Sequence, residues 1–124
     1  GVFVMGQVTG RAVGRFKSDD NREVFTFEAR GDFVIDGNEL SCEVVGDWDE
    51  RGLPIVSGNF RITNEGGEFS AGFNGVKDYP GWGAVIEGAL EGVTVTGAFT
   101  QASGCLSFEI RYLEGSEGNV EFSL

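Results

Sequence analysis

An all-β fold closed into a small antiparallel barrel is what this sequence predicts, and three observations carry the prediction. Apolar and polar residues alternate with period two along nearly the whole chain, the pattern of half-buried strands. Glycine, 21 of 124 residues, recurs both between and inside the alternating runs. Phenylalanine is abundant at 11 residues, while the strong helix formers Ala, Leu and Lys are scarce.

The first run spans Val2 to Lys17 and contains Gly6, Gly10 and Gly14, as one long bent strand or a hairpin would. Asp19-Asp20-Asn21 supplies a turn. Glu23 to Arg30 then sets Phe25, Phe27 and Ala29 against Val24, Thr26 and Glu28. Gly31-Asp32 and Asp36-Gly37-Asn38 bracket a short Phe33-Val34-Ile35 strand, and the Asp-Gly dipeptide is a strong hairpin signal. Leu40, Cys42 and Val44 follow on one face. The stretch Asp47 to Pro54 reads as the first true loop.

Beyond it Val56, Gly58, Phe60 and Ile62 alternate with polar residues, and Asn64 to Gly67 turns the chain. Glu68 to Val76 points Phe69, Ala71 and Phe73 inward. Lys77 to Gly83 is the second true loop. Ala84 to Leu90, a tight Glu91-Gly92 turn and Val93 to Thr100 come next. Cys105 to Leu113 places Leu106, Phe108, Ile110 and Tyr112 on one face, and Asn119 to Leu124 closes the series.

Eight to ten strands joined this tightly leave no room for helical crossovers, so the sheet is antiparallel. Glycines within strands (Gly10, Gly14, Gly58, Gly72, Gly88, Gly97) are expensive in a flat sheet and useful where strands coil and close. The expectation is a single domain over residues 1–124, a barrel of calycin/lipocalin-like architecture, with a two-sheet sandwich as the alternative. A V-T-G or V-S-G echo at Val8, Val56 and Val95 is unevenly spaced, so it marks recurring kinks and no solenoid or propeller.

Nine basic against twenty acidic residues give a net charge of −11. Such a surface repels phosphate backbones and anionic bilayers, which argues against nucleic-acid and membrane partners. The same charge serves solubility, or steers a cationic partner. No apolar run reaches the ~18 residues of a spanning helix. The chain opens at Gly1 without an initiator Met, as a processed or excised chain would. Cys42 and Cys105 belong to no Cys-x-x-Cys pair, and they read as buried thiols or as one long-range disulfide.

With no histidine, the Ser-His-Asp, Cys-His and His-rich metal systems are unavailable. There is no phosphate-cradling glycine loop either. No cofactor and no metal is expected. Asp47-x-Asp49-Glu50 offers hard oxygen ligands but lacks calcium-loop spacing.

Carboxylate and phenol remain for proton transfer. Asp47, Asp49 and Glu50 crowd one loop, and Asp78 neighbours Tyr79 in the other. The same two loops hold Trp48, Tyr79 and Trp82, which would rim the mouth of a Phe-lined barrel.

The reading that follows is a non-catalytic barrel binding a small apolar or amphipathic molecule, with Trp48, Tyr79 and Trp82 at the mouth. A cofactor-independent cyclase or isomerase, using Asp78 and Tyr79 as an acid–base pair, is the first alternative. A carbohydrate-binding or self-assembling module is the second, with homo-oligomers formed through outward residues such as Val34, Val45 and Val85.

Overall fold

The computed structural model describes residues 8–124. Eight strands run in chain order: β1 (Val8–Ser18), β2 (Val24–Ile35), β3 (Asn38–Asp49), β4 (Ile55–Asn64), β5 (Gly67–Asp78), β6 (Ala84–Gly97), β7 (Ser107–Tyr112) and β8 (Glu117–Ser123). Each pairs antiparallel with the next. β8 returns to β1 from Arg11↔Ser123 to Lys17↔Glu117, so the sheet is a closed up-and-down barrel and not a sandwich. Closure leaves this sheet without a free outer strand.

Several boundaries differ from the sequence reading. Gly31 does not end a strand, because β2 passes through it and continues to Ile35. β3 likewise carries Asp47 to Asp49, leaving only Glu50 to Pro54 as the connection. Glu91-Gly92 is a bulge inside β6 and not a turn. Ser70 pairs with Thr94 but Gly72 with Glu91, so β6 carries one extra residue, accommodated by Gly92 at φ +60°. Leu106 precedes β7 and is exposed, unlike Phe108, Ile110 and Tyr112. The part of the first run before Val8 lies outside the described residues.

The interior is filled by aromatic rings laid across inward glycines. In register, Gly10 faces Phe33, Phe27 faces Gly46, Gly58 faces Phe73, Gly88 faces Phe108 and Phe16 faces Gly118. A Cβ built on Gly46 would lie 2.6 Å from the Phe27 ring, and one on Gly58 would lie 2.6 Å from the Phe73 ring. Gly10, Gly46, Gly58 and Gly118 thus vacate volume that a neighbouring strand's ring occupies.

The rings meet in a continuous chain. Phe60 to Phe122 is 4.6 Å between centroids, Phe122 to Phe27 is 5.9 Å, and Phe27 to Trp48 is 5.8 Å. Trp48 stacks on Phe25 at 4.9 Å and 4°. An interior of eight strands is just wide enough to be filled in this way. Cys42 and Cys105 are both buried and both free, and burial pushes both thiols up from their ordinary range.

Outward positions carry charge instead, including Arg11, Arg15, Glu28, Arg30, Glu43 and Arg61. Apolar inside and charged outside is the reverse of the alternation in barrels that face lipid. None of the described helical segments is long and apolar enough to cross a membrane.

The connections β1–β2, β3–β4, β5–β6 and β7–β8 gather at one end, called here the upper end. At the lower end the β6–β7 connection, with a single helical turn at Thr100–Ala102, buries Phe99 and Ala102.

The glycine–ring packing yields a stability prediction. Gly46→Val should cost about 2–3 kcal/mol by overpacking against Phe27. Gly52→Ala, where a Cβ meets only Ile55 O at 3.6 Å, should stay within about 0.5 kcal/mol. Urea midpoints of the two variants against the parent chain check this.

Candidate functional site

Period-two alternation along β5 (Phe69, Ala71, Phe73, Gly75) delivers the next inward position, Lys77, into the upper end of the barrel. Alternation along β7 does the same for Tyr112. Just after β3, Glu50 turns inward beside Trp48. Glu50 and Lys77 are the buried charged residues among those described.

Lys77 Nζ donates to Glu50 Oε1 at 2.9 Å and to Oε2 at 3.0 Å. It also reaches Glu114 Oε1 on the β7–β8 connection at 2.6 Å. Trp48 Nε1 donates to Glu50 Oε1 at 3.2 Å, and the Tyr112 hydroxyl donates to the same oxygen. The Lys77 ammonium lies 5.2 Å from the centroids of both Tyr112 and Tyr79.

Backbone bonds extend the network to the remaining connections. Glu50 N donates to Glu23 O at 2.7 Å, and Lys77 N donates to Pro54 O at 3.0 Å. No buried side-chain polar atom among the described residues lacks a partner. Through side chain or backbone, Glu50 and Lys77 thus contact all four upper connections, at Glu23, Pro54, Tyr79 and Glu114.

Burial alone would lower the Lys77 pKa. Its hydrogen bonds to Glu114 and Glu50, with their negative charge, outweigh burial and hold the ammonium above its ordinary range. Tyr112 is pushed strongly upward, first by burial and then by its hydrogen bond to Glu50. The phenol therefore remains protonated as the donor in this pair.

The acidic trio of the sequence reading is dispersed. Glu50 alone enters the barrel. Asp49 accepts from Arg51 Nε at 2.9 and 3.0 Å, and that hydrogen bonding lowers its pKa. Asp47 accepts from Asn59 N at 3.3 Å. Among the described residues no group of three or more His, Cys, Asp or Glu side chains is placed to hold a metal ion.

The three rings expected at a mouth share the upper end but not one surface. Trp48 is fully buried on the inner wall. Tyr79 and Trp82 sit on the β5–β6 connection, 61% and 45% exposed. That connection folds back over the outer wall. Trp82 lies 5.4 Å from the Arg111 guanidinium, and outward-facing Val85 beneath is only 8% exposed. Asp78, the proposed partner of Tyr79, is also on the outside.

Two grooves flank Trp82 and Arg111, which line both. One, of 650 Å³, runs over β1, β7 and β8 past Val13, Arg15, Leu113 and Glu121. The other, of 360 Å³, is bounded by Asp78, Tyr79, Val85, Glu87 and Glu109. Lys77, Tyr112 and Arg111 were absent from the residues singled out by sequence. Alternation places Tyr112 on an inward face, whereas Lys77 reads as the first residue of the second loop; β5 in fact continues through Lys77 to Asp78, which leaves residues 79–83 as the connection, and nothing local marks Arg111. No family model, curated protein or solved structure matches this chain.

The buried pair predicts two behaviours. Lys77→Met should cost about 3 kcal/mol, because it strands the Glu50 carboxylate without its counter-charge. Replacing the set together (Glu50→Leu, Lys77→Met, Tyr112→Phe) should recover much of that loss, as read from urea denaturation.

The folded pKa values of Lys77 and Tyr112 both lie above their unfolded ones, near 10. Their contribution is thus complete below about pH 10 and is lost as pH rises further. Stability measured from pH 8 to 11 should fall above about pH 10, and Tyr112→Phe should flatten that fall.

Proposed function

We propose that this barrel is a non-catalytic binding domain for a small apolar or amphipathic molecule, held on the outer wall at the upper end by Trp82 and Tyr79. The observation that carries the reading is the 650 Å³ groove where Trp82, Leu113 and Val13 stay exposed together on one side. Its size falls within the range of small-molecule sites. Large apolar side chains line a recess, with Arg111 and Arg15 supplying polar groups along it. Trp48 supports the site from within by filling the wall behind Tyr112, at 5.0 Å between ring centroids.

A cyclase or isomerase working through a phenol–carboxylate pair has one observation in its favour. Tyr112 and Glu50 are hydrogen-bonded inside the barrel end. Both Glu50 oxygens are already occupied by Lys77, and the Tyr112 donor is spent on Glu50. This makes the pair a better lock than a proton shuttle. Asp78 and Tyr79, on the exposed connection, would have to act without a water-excluding site.

Native mass spectrometry with Nile red, a neutral amphipathic dye, tests the binding reading. The expected result is a one-to-one adduct and a blue-shifted emission. Trp82→Ala should weaken both about fivefold or more, while Leu106→Ala, at the far end of the barrel, should leave them unchanged. Binding indifferent to Trp82, or no adduct at all, would overturn it.

A further inference from the structure

We infer that the molecule bound beside Trp82 is an amphipathic organic cation, its positive head between Tyr79, Trp82, Asp78 and Glu87 and its apolar tail along Val13 and Leu113. The inference rests on the outer-wall binding reading and adds the charge and orientation of the ligand.

The smaller groove combines two features that a cation needs together. Tyr79 and Trp82 present exposed rings on its rim. A ring face attracts a positive charge through its quadrupole, most strongly for Trp. Each of these rings already has a cation near it, Lys77 at Tyr79 and Arg111 at Trp82.

Carboxylates line the same groove. Glu109 is bonded to Arg111, so that pair is neutral. Asp78 from β5 and Glu87 from β6 have no basic side chain within 4.0 Å among the described residues. Lys77, behind Tyr79, is matched by Glu50 and Glu114. The groove thus keeps about two uncompensated negative charges, against a chain already at −11.

Across the Trp82–Arg111 partition the larger groove is more apolar, with Val13 and Leu113 exposed along it. A head group seated in the first groove would place an alkyl or aryl tail in the second. The long-range field draws such a cation in, and the rings and carboxylates hold its head.

Octyltrimethylammonium, octanol and octanoate provide one tail with a positive, neutral or negative head. Their binding is followed by NMR at the Trp82 indole and the amides of residues 78–87, at low and high salt. The expected order is cation, then alcohol, then carboxylate, with the cation about tenfold tighter than the alcohol at low salt and the margin shrinking as salt rises.

The double variant Asp78→Asn, Glu87→Gln should erase most of that margin. Glu39→Gln with Glu65→Gln, which removes the same charge at the lower end, should preserve it. If the alcohol binds as tightly as the cation, or both charge variants act alike, the inference falls while the binding reading stands. If none of the three perturbs these residues and Nile red also fails to bind, both fall.

Discussion

Everything else in this molecule depends on fitting large rings into an eight-stranded barrel. A closed barrel has one interior, and every inward position on every strand competes for it. Phenylalanine at each such position would overfill the space. The conflict is resolved by pairing rings with glycines in register, as between Phe27 and Gly46 or Phe73 and Gly58. The glycines weaken their strands slightly and let them coil, which closure requires. Filling volume and bending strands are thus one device, and it explains why glycine and phenylalanine are both over-represented.

The upper end is organised differently. Four connections converge there, and their backbones cannot all be satisfied by ladder hydrogen bonds. The Glu50–Lys77 pair gives them a common centre, with Tyr112, Trp48 and Glu114 completing its bonding. A buried ion pair seldom adds much net stability, because desolvation offsets attraction. Its value here is geometric. It joins the ends of β3, β5 and β7, and its ammonium also lies 5.2 Å from the Tyr79 ring of the β5–β6 connection.

That folded-back connection generates the candidate site. With the interior occupied by side chains, the recesses that could take a ligand lie on the outer wall. Among the described residues, Tyr79 and Trp82 are the exposed aromatic rings. Trp82 stands between an apolar recess and an acidic one, so its two sides present different chemistry.

The alternation of residues determined much of this by itself. The antiparallel all-β class, the inward Phe set and the paired hairpins follow from period-two patterning and turn residues, because side-chain direction in a strand is a local property. The same pattern placed Tyr112 inside but not Lys77, because a charged residue at a strand end reads as the start of a loop. Strand ends at Gly31 and Gly92 were misread, since a glycine kink or bulge within a strand resembles a turn until the partner strand is known.

Only the tertiary structure decided which side of the wall each upper-end residue occupies. Trp48 and Trp82 have similar loop-like neighbourhoods in sequence, yet one is sealed inside and the other lies against Arg111. Glu50 and Asp49 are adjacent, yet one meets a buried lysine and the other an exposed arginine. These outcomes depend on contacts between residues 27 to 62 positions apart in the chain, such as Glu50 with Lys77 and with Tyr112, which no local pattern encodes.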